Sequence, residues 1–137
     1  MVSNDGLPLQ SLRRLRIAVE EFRRIYPAMP TAYLDAFLAV ALKPGLGPTE
    51  YAKMLGSTQP IMSRLLLEIG EQSREREEPL HLVVSRRHPE NRRQICYFLT
   101  SKGYALALRI GLMIEGRWNA SMAQEHSVEV FAERPHD

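Results

Sequence analysis

Apolar residues recur along the chain at spacings of three and four, then switch to a near-continuous β-type pattern, then return to the helical spacing. From Leu9 the segment LQSLRRLRIAVEEFRRIY sets Leu12, Leu15, Val19, Phe22 and Tyr26 on one face, which predicts an amphipathic helix over 9–26. Pro27 and Pro30 end it. Thr31 is placed to cap a second helix, TAYLDAFLAVAL, with Tyr33, Leu34, Phe37, Leu38, Ala41 and Leu42 expected in the core before Pro44 and Gly45 stop it. The stretch GPTEYAKML carries a proline at the first helical position and a glutamate two places later, where the helix dipole favours an anion. It predicts a short third helix. Gly56 permits a sharp turn, and Thr58 can cap a fourth helix, TQPIMSRLLLEI, with Ile61, Met62, Leu65, Leu66 and Ile69 apolar. Two helices joined by a short glycine-containing turn form a helix-turn-helix.

Beyond Glu78 the segments LHLVVS and QICYFLT are rich in β-branched and aromatic residues, and a polar tip containing a proline separates them. They predict a hairpin with a long basic loop. Thr100 then caps a last helix, SKGYALALRIGLMIEGRWNASM, expected to run over 101–126 with a flexible tail at 127–137. The order α-α-α-α-β-β-α describes a mainly α winged helix-turn-helix: a core over 31–100 held between long terminal helices, all within one domain spanning 1–137.

Composition narrows the function. No uninterrupted apolar run approaches the roughly 20 residues that cross a bilayer, and the opening MVSNDGLPLQ has no basic segment followed by an apolar one, so a cytoplasmic protein with no membrane partner is expected. Cys96 is the single cysteine, and no Cys/His cluster has zinc-finger spacing. Neither a metal nor another cofactor is expected. His81, His88, His126 and His136 have no carboxylate or nucleophile at matching spacing, which argues against an enzyme. The net charge is only +2, but it is unevenly spread. SRRHPENRRQ, from Ser85 to Gln94, holds four arginines and one glutamate, whereas EQSREREE, from Glu71 to Glu78, holds four acids and two arginines.

The run LGPTEYAKMLGSTQPIMSRLL from Leu46 resembles the helix-turn-helix of MarR-type regulators, and RRHPENRRQICYFLTSKG resembles their wing and the start of their last helix. The resemblance covers about 75 residues. It implies a dimer whose first and last helices intertwine across a two-fold axis, so that the pair reads a pseudo-palindromic DNA site. It also opens the question of a small-molecule effector, whose chemistry no residue here dictates. Two departures stand out. Asn91 takes the place of the wing aspartate while Arg93 is kept, and the linker GEQSREREEPL lacks the usual apolar turn.

A recognition helix enters the major groove by its N-terminal end, which makes Thr58, Gln59, Pro60, Ile61, Ser63 and Arg64 the candidate base-edge residues. Gln59 can bond an adenine in two places, Arg64 a guanine or a phosphate, and Pro60 or Ile61 a thymine methyl. A solvated helix face is the other reading of Gln59 and Ser63. Arg86, Arg87, Arg92 and Arg93 are expected on phosphates or in the minor groove, against the alternative of a solvated turn or, for Arg93, an internal brace. Leu12, Leu15, Val19 and Phe22 at one end, with Leu106, Leu112, Met113 and Trp118 at the other, offer more apolar surface than the winged core covers and are expected to form the dimer contact. The function expected is a sequence-specific, homodimeric transcriptional regulator of the repressor type. The competing class is a winged helix used in protein interaction or replication assembly that reads no sequence.

Overall fold

A computed structural model describes residues 1–119 and 121, except 75 and 77. The elements follow the expected order: α1 Leu9–Ile25, α2 Thr31–Leu42, α3 Pro48–Leu55, α4 Gln59–Ile69, β1 Val83–Arg87, β2 Ile95–Leu99 and α5 Ser101–Glu115. The strands pair antiparallel with Val83 opposite Leu99 and Arg87 opposite Ile95. Gly45 N–H donates to Tyr97 O at 2.8 Å and Tyr97 N–H to Leu46 O at 3.0 Å. The α2–α3 connection is thereby tied to the second strand of the wing.

The phase of α2 differs from the expected one. Its first residue is Thr31, with Pro30 in the cap position, so Thr31 makes no capping bond. Tyr33, Ala36, Phe37 and Val40 then face inward at helical spacing, while Leu38 and Leu42 are exposed. Phe37 meets Phe22 of α1 edge to face, with ring centroids 5.7 Å apart. The core extends through Tyr51, Met62, Leu66, Ile69, Leu80, Leu82, Val83 and Leu106.

Residues 80–82 have the composition of a strand, yet β1 starts only at Val83. Their backbone is engaged elsewhere. His81 N–H and Leu82 N–H donate to Gly70 O and Ile69 O at the end of α4, both at 2.9 Å. His81, at φ +54, and Leu82 present their carbonyls to the start of α5, where they accept from Thr100 Oγ1 and Thr100 N–H. Thr100 Oγ1 also accepts from Gly103 N–H at 3.0 Å, the expected N-cap.

Among the described residues, α5 ends before the expected 126. Gly116 adopts φ +74, and its N–H and that of Arg117 close back on Leu112 O, which terminates α5 after Glu115. Trp118 therefore lies beyond α5, where it is half-buried. Residues 120 and 122–126 of the expected helix, and the expected tail at 127–137, lie outside the described residues. Phe22, Leu106, Leu112 and Met113 are buried within the single chain, where α1 packs on α5 and Glu21 bonds Arg109 across them at 3.4 Å. They are not part of the surplus apolar surface. Leu12, Leu15 and Val19 are, at 45%, 52% and 37% exposure.

The linker between α4 and β1 has its own logic. In place of an apolar turn, the Arg76 guanidinium carbon lies over the Tyr26 ring, 4.7 Å from its centroid, and 5.7 Å from that of Tyr33. Its Nη2 donates to Glu68 O at 2.7 Å and lies 3.8 Å from the Glu68 carboxylate. That carboxylate, 3% exposed, also accepts from Ser73 Oγ at 2.7 Å and Arg74 N–H at 3.1 Å. A hydrogen-bonded ion pair, packed on two aromatic rings, fills the space of an apolar plug.

Candidate nucleic-acid interface

The helix-turn-helix owes its geometry to a few short-range decisions. Pro48 starts α3 where no N–H partner is required, and Glu50 Oε1 accepts from Gly47 N–H at 3.3 Å. Tyr51 is fully buried; its hydroxyl donates to Lys43 O at 2.7 Å and accepts from Leu46 N–H at 3.3 Å, fixing α3 to the end of α2. Burial pushes its phenol pKa up, an effect the Leu46 bond only partly offsets, so the hydroxyl keeps the proton it donates. Gly56 takes the left-handed conformation at φ +65, and Ser57 N–H returns to Ala52 O at 2.8 Å. The chain then re-enters a helix at Gln59 with Thr58 extended in the cap position, although the Thr58 side chain makes no capping bond.

Helix α4 divides cleanly. Met62, Leu66 and Ile69 are buried beneath it, whereas Thr58, Gln59, Pro60, Ile61 and Arg64 are exposed and Ser63 is half-buried. Ile61, 54% exposed, belongs to the outer face rather than the core. Gln59 Nε2 donates to Ser63 Oγ at 2.8 Å one turn along, which aligns the two side chains along the helix. They line an open groove of about 700 Å³ whose opposite wall is the wing, including His88, Arg93 and Ile95. Ile61 and Arg64 lie on the other flank, in a second groove of about 330 Å³ shared with Tyr33 and Glu68.

The four wing arginines have different positions. Arg86 and Arg87 stand on β1, opposite Cys96 and Ile95, and Arg86 is half-buried. Arg87 Nη1 donates to Arg92 O at 3.1 Å, so its guanidinium braces the tip. Arg92 and Arg93 are exposed on the tip itself, and of the four only Arg93 lines the groove beside Gln59 and Ser63. Asn91 Oδ1 accepts from Arg93 N–H at 3.2 Å, a turn bond that an amide makes as well as a carboxylate. Asn91 thus holds the turn without placing a negative charge on a basic tip.

Two groove residues carry no functional signal in the sequence. Leu67 is exposed on the groove side of α4, where the helical pattern alone assigns it no role. His88 reads as a plain loop histidine, yet it sits at the wing wall and its Nδ1 organises the tip.

No family model matches the sequence, and no curated protein does. Solved structures do match. The structure of RV1404 from Mycobacterium tuberculosis superposes with a TM-score of 0.57 at 15% identity, over 98% of this chain and 95% of that one. A crystal structure of MarR gives 0.53 at 21% identity, covering 90% and 83%. The PcaV transcriptional regulator from Streptomyces coelicolor gives 0.51 at 16% identity, covering 89% of each. Among the described residues, five helices, a two-stranded antiparallel wing and the turn at Gly56 give this chain the winged helix-turn-helix fold of MarR-type structures.

Proposed function

We propose that the chain is a homodimeric transcriptional regulator that binds duplex DNA by sequence and represses by occupying its operator. One observation carries this reading. The outer face of α4 exposes Gln59, Pro60, Ile61 and Arg64 with Ser63 half-exposed, while its inner face is locked into the core and the arginine-bearing wing stands across the adjoining groove. A helix so mounted fits a major groove about 12 Å wide, and the wing falls beside it on the phosphates. Arg92 and Arg93 supply the charge that neutralises them, with Arg86 and Arg87 behind.

The dimer is supported by the apolar stripe of Leu12, Leu15 and Val19 left exposed on α1, which a second copy would bury. Two copies related by a two-fold axis would read half-sites about one helical turn apart. No helix among the described residues is long and apolar enough to cross a membrane, which fits a regulator acting on cytoplasmic DNA.

Selection of bound duplexes from a random pool tests the proposal. Enrichment of an inverted repeat supports it. Retention without enrichment of any sequence would instead favour the assembly-module alternative.

A further inference from the structure

The wing tip closes on an imidazole. His88 Nδ1 lies 3.1 Å from Glu90 N and 3.3 Å from Asn91 N, and both are backbone donors. An amide N–H can only donate, so Nδ1 must be the lone-pair nitrogen and the ring proton must sit on Nε2. The remaining tip bonds depend on the same turn: His88 N–H to Gln94 O at 2.8 Å, Gln94 N–H to Asn91 O at 2.9 Å, and Arg93 N–H to Asn91 Oδ1. The two residues that follow Asn91 are Arg92 and Arg93. The Nδ1 acceptor closes the turn that leads into them, alongside the Arg87 bond to Arg92 O and the Asn91 bond to Arg93 N–H.

We propose that His88 is a positioning residue of the wing: its Nδ1 holds the turn that aims Arg92 and Arg93 at DNA, and protonation of Nδ1 releases them. The inference rests on the DNA-binding reading above. The proton balance is simple. Imidazole takes one proton from solvent at Nδ1, the lone pair is consumed, and a new N–H points at two backbone N–H groups that lose their acceptor. Imidazole is the side chain whose ordinary charge change falls between about pH 5 and 8, so acid is the perturbation that tests an Nδ1 acceptor. Glu50 from α3, Arg93 from the tip, and Cys96 and Tyr97 from β2 line the same groove, with Arg87, Glu90 and Arg92 adjacent in the chain.

Asparagine is the informative substitution. Its Oδ1 is attached to Cγ as Nδ1 is in histidine, so it can accept the same two bonds, and it does not titrate. The full chain is titrated with a fluorescent random-sequence duplex over a range of sodium chloride, at about pH 8 and about pH 5.5, with circular dichroism confirming folding at both. Wild type, His88→Ala, His88→Asn and the fourfold alanine variant of Arg86, Arg87, Arg92 and Arg93 are compared. Withdrawing one arginine from a phosphate flattens the plot of log affinity against log salt by about 0.9, so withdrawing both tip arginines flattens it by up to about 1.8.

At about pH 8, His88→Asn should match wild type and His88→Ala should be flatter. At about pH 5.5, wild type should fall to the alanine slope while His88→Asn stays steep. Any contribution from the neighbouring charged groups persists in His88→Asn and is thereby subtracted. The proposal is overturned if His88→Ala is as steep as wild type at the higher pH. It is equally overturned if His88→Asn follows the wild-type pH response, or if acid steepens the wild-type slope, which would make the imidazolium one more phosphate ligand. An arginine effect without a histidine effect refutes the role of His88 alone, whereas flat slopes throughout refute the DNA-contacting wing and the proposal with it.

Discussion

Removing the Arg76 guanidinium leaves a buried carboxylate without its closest counter-charge. Glu68 sits at the C-terminal end of α4, where the helix dipole is unfavourable to an anion, and Arg76→Ala takes away the ion pair, the bond to Glu68 O and the cation–ring contact with Tyr26. Breaking one side of a buried pair costs about 3–5 kcal/mol. The bonds from Ser73 and Arg74 persist, which places Arg76→Ala near the lower end, about 3 kcal/mol. Urea unfolding at fixed protein concentration measures it. With a slope of about 1.5 kcal/mol/M the midpoint should fall by about 2 M at unchanged slope. Replacing both partners by Leu should recover most of the loss, since an apolar pair leaves no charge to desolvate.

The pH dependence gives a second handle on the same pair. Burial raises the Glu68 pKa, but the bonds from Ser73 and Arg74 and the charges of Arg76 and Arg64 outweigh it, and the net shift is downward. A carboxyl depressed in the folded state contributes stability above its unfolded pKa, and the contribution is lost as pH falls through the folded value. Arg76→Ala should therefore shrink the acid loss of stability. A cost below about 1 kcal/mol with an unchanged acid response would show that the pair is solvated and that Arg76 does not hold the linker.

Three further outcomes follow from the geometry. A Cβ at Gly103 would run into Leu82 O, so Gly103→Ala should cost about 2–3 kcal/mol in urea unfolding despite its better helix propensity; a neutral result would mean that α5 does not dock on residues 80–82. Tyr51→Phe strands Lys43 O and Leu46 N–H and should cost about 1–3 kcal/mol by thermal or urea unfolding, with no loss if water replaces the hydroxyl. Aspartate at both Leu12 and Leu15 should convert the proposed dimer to a monomer in sedimentation without loss of helix content, and an unchanged sedimentation coefficient would remove α1 from the proposed interface.

Much of this architecture is legible because it depends on local chemistry. Gly56 needs a left-handed turn, Pro48 starts a helix, Thr100 caps one, and the change of apolar period marks the wing. Sequence and structure part where packing or long-range bonds decide. Leu38 and Leu42 look like core because α2 is apolar nearly all round, and only packing, as of Phe37 on Phe22 of α1, chooses its inner face. Residues 80–82 have strand-like composition, yet their hydrogen bonds go to helix ends distant in sequence. The stop at Gly116 is readable from the glycine itself, but the apolar residues on both sides mask it. At the proposed interface, Gln59 and Arg64 are singled out by their position within a helix-turn-helix. The contacts of Arg76 in the linker and of His88 at the wing tip are not legible, because a lone charge in an acidic linker and a lone histidine in a loop meet their partners only through folding.

The most direct test of the central claim is the affinity of the Gln59→Ala, Arg64→Ala double variant for the selected operator, compared with a scrambled duplex at the same salt. A bidentate base contact is worth about 1–3 kcal/mol, so the operator affinity should fall by roughly 10- to 100-fold or more, with scrambled DNA bound nearly as before. Base preference at the contacted positions should relax as well. Retention of full operator affinity and unchanged base preference would contradict the placement of the α4 outer face in the major groove.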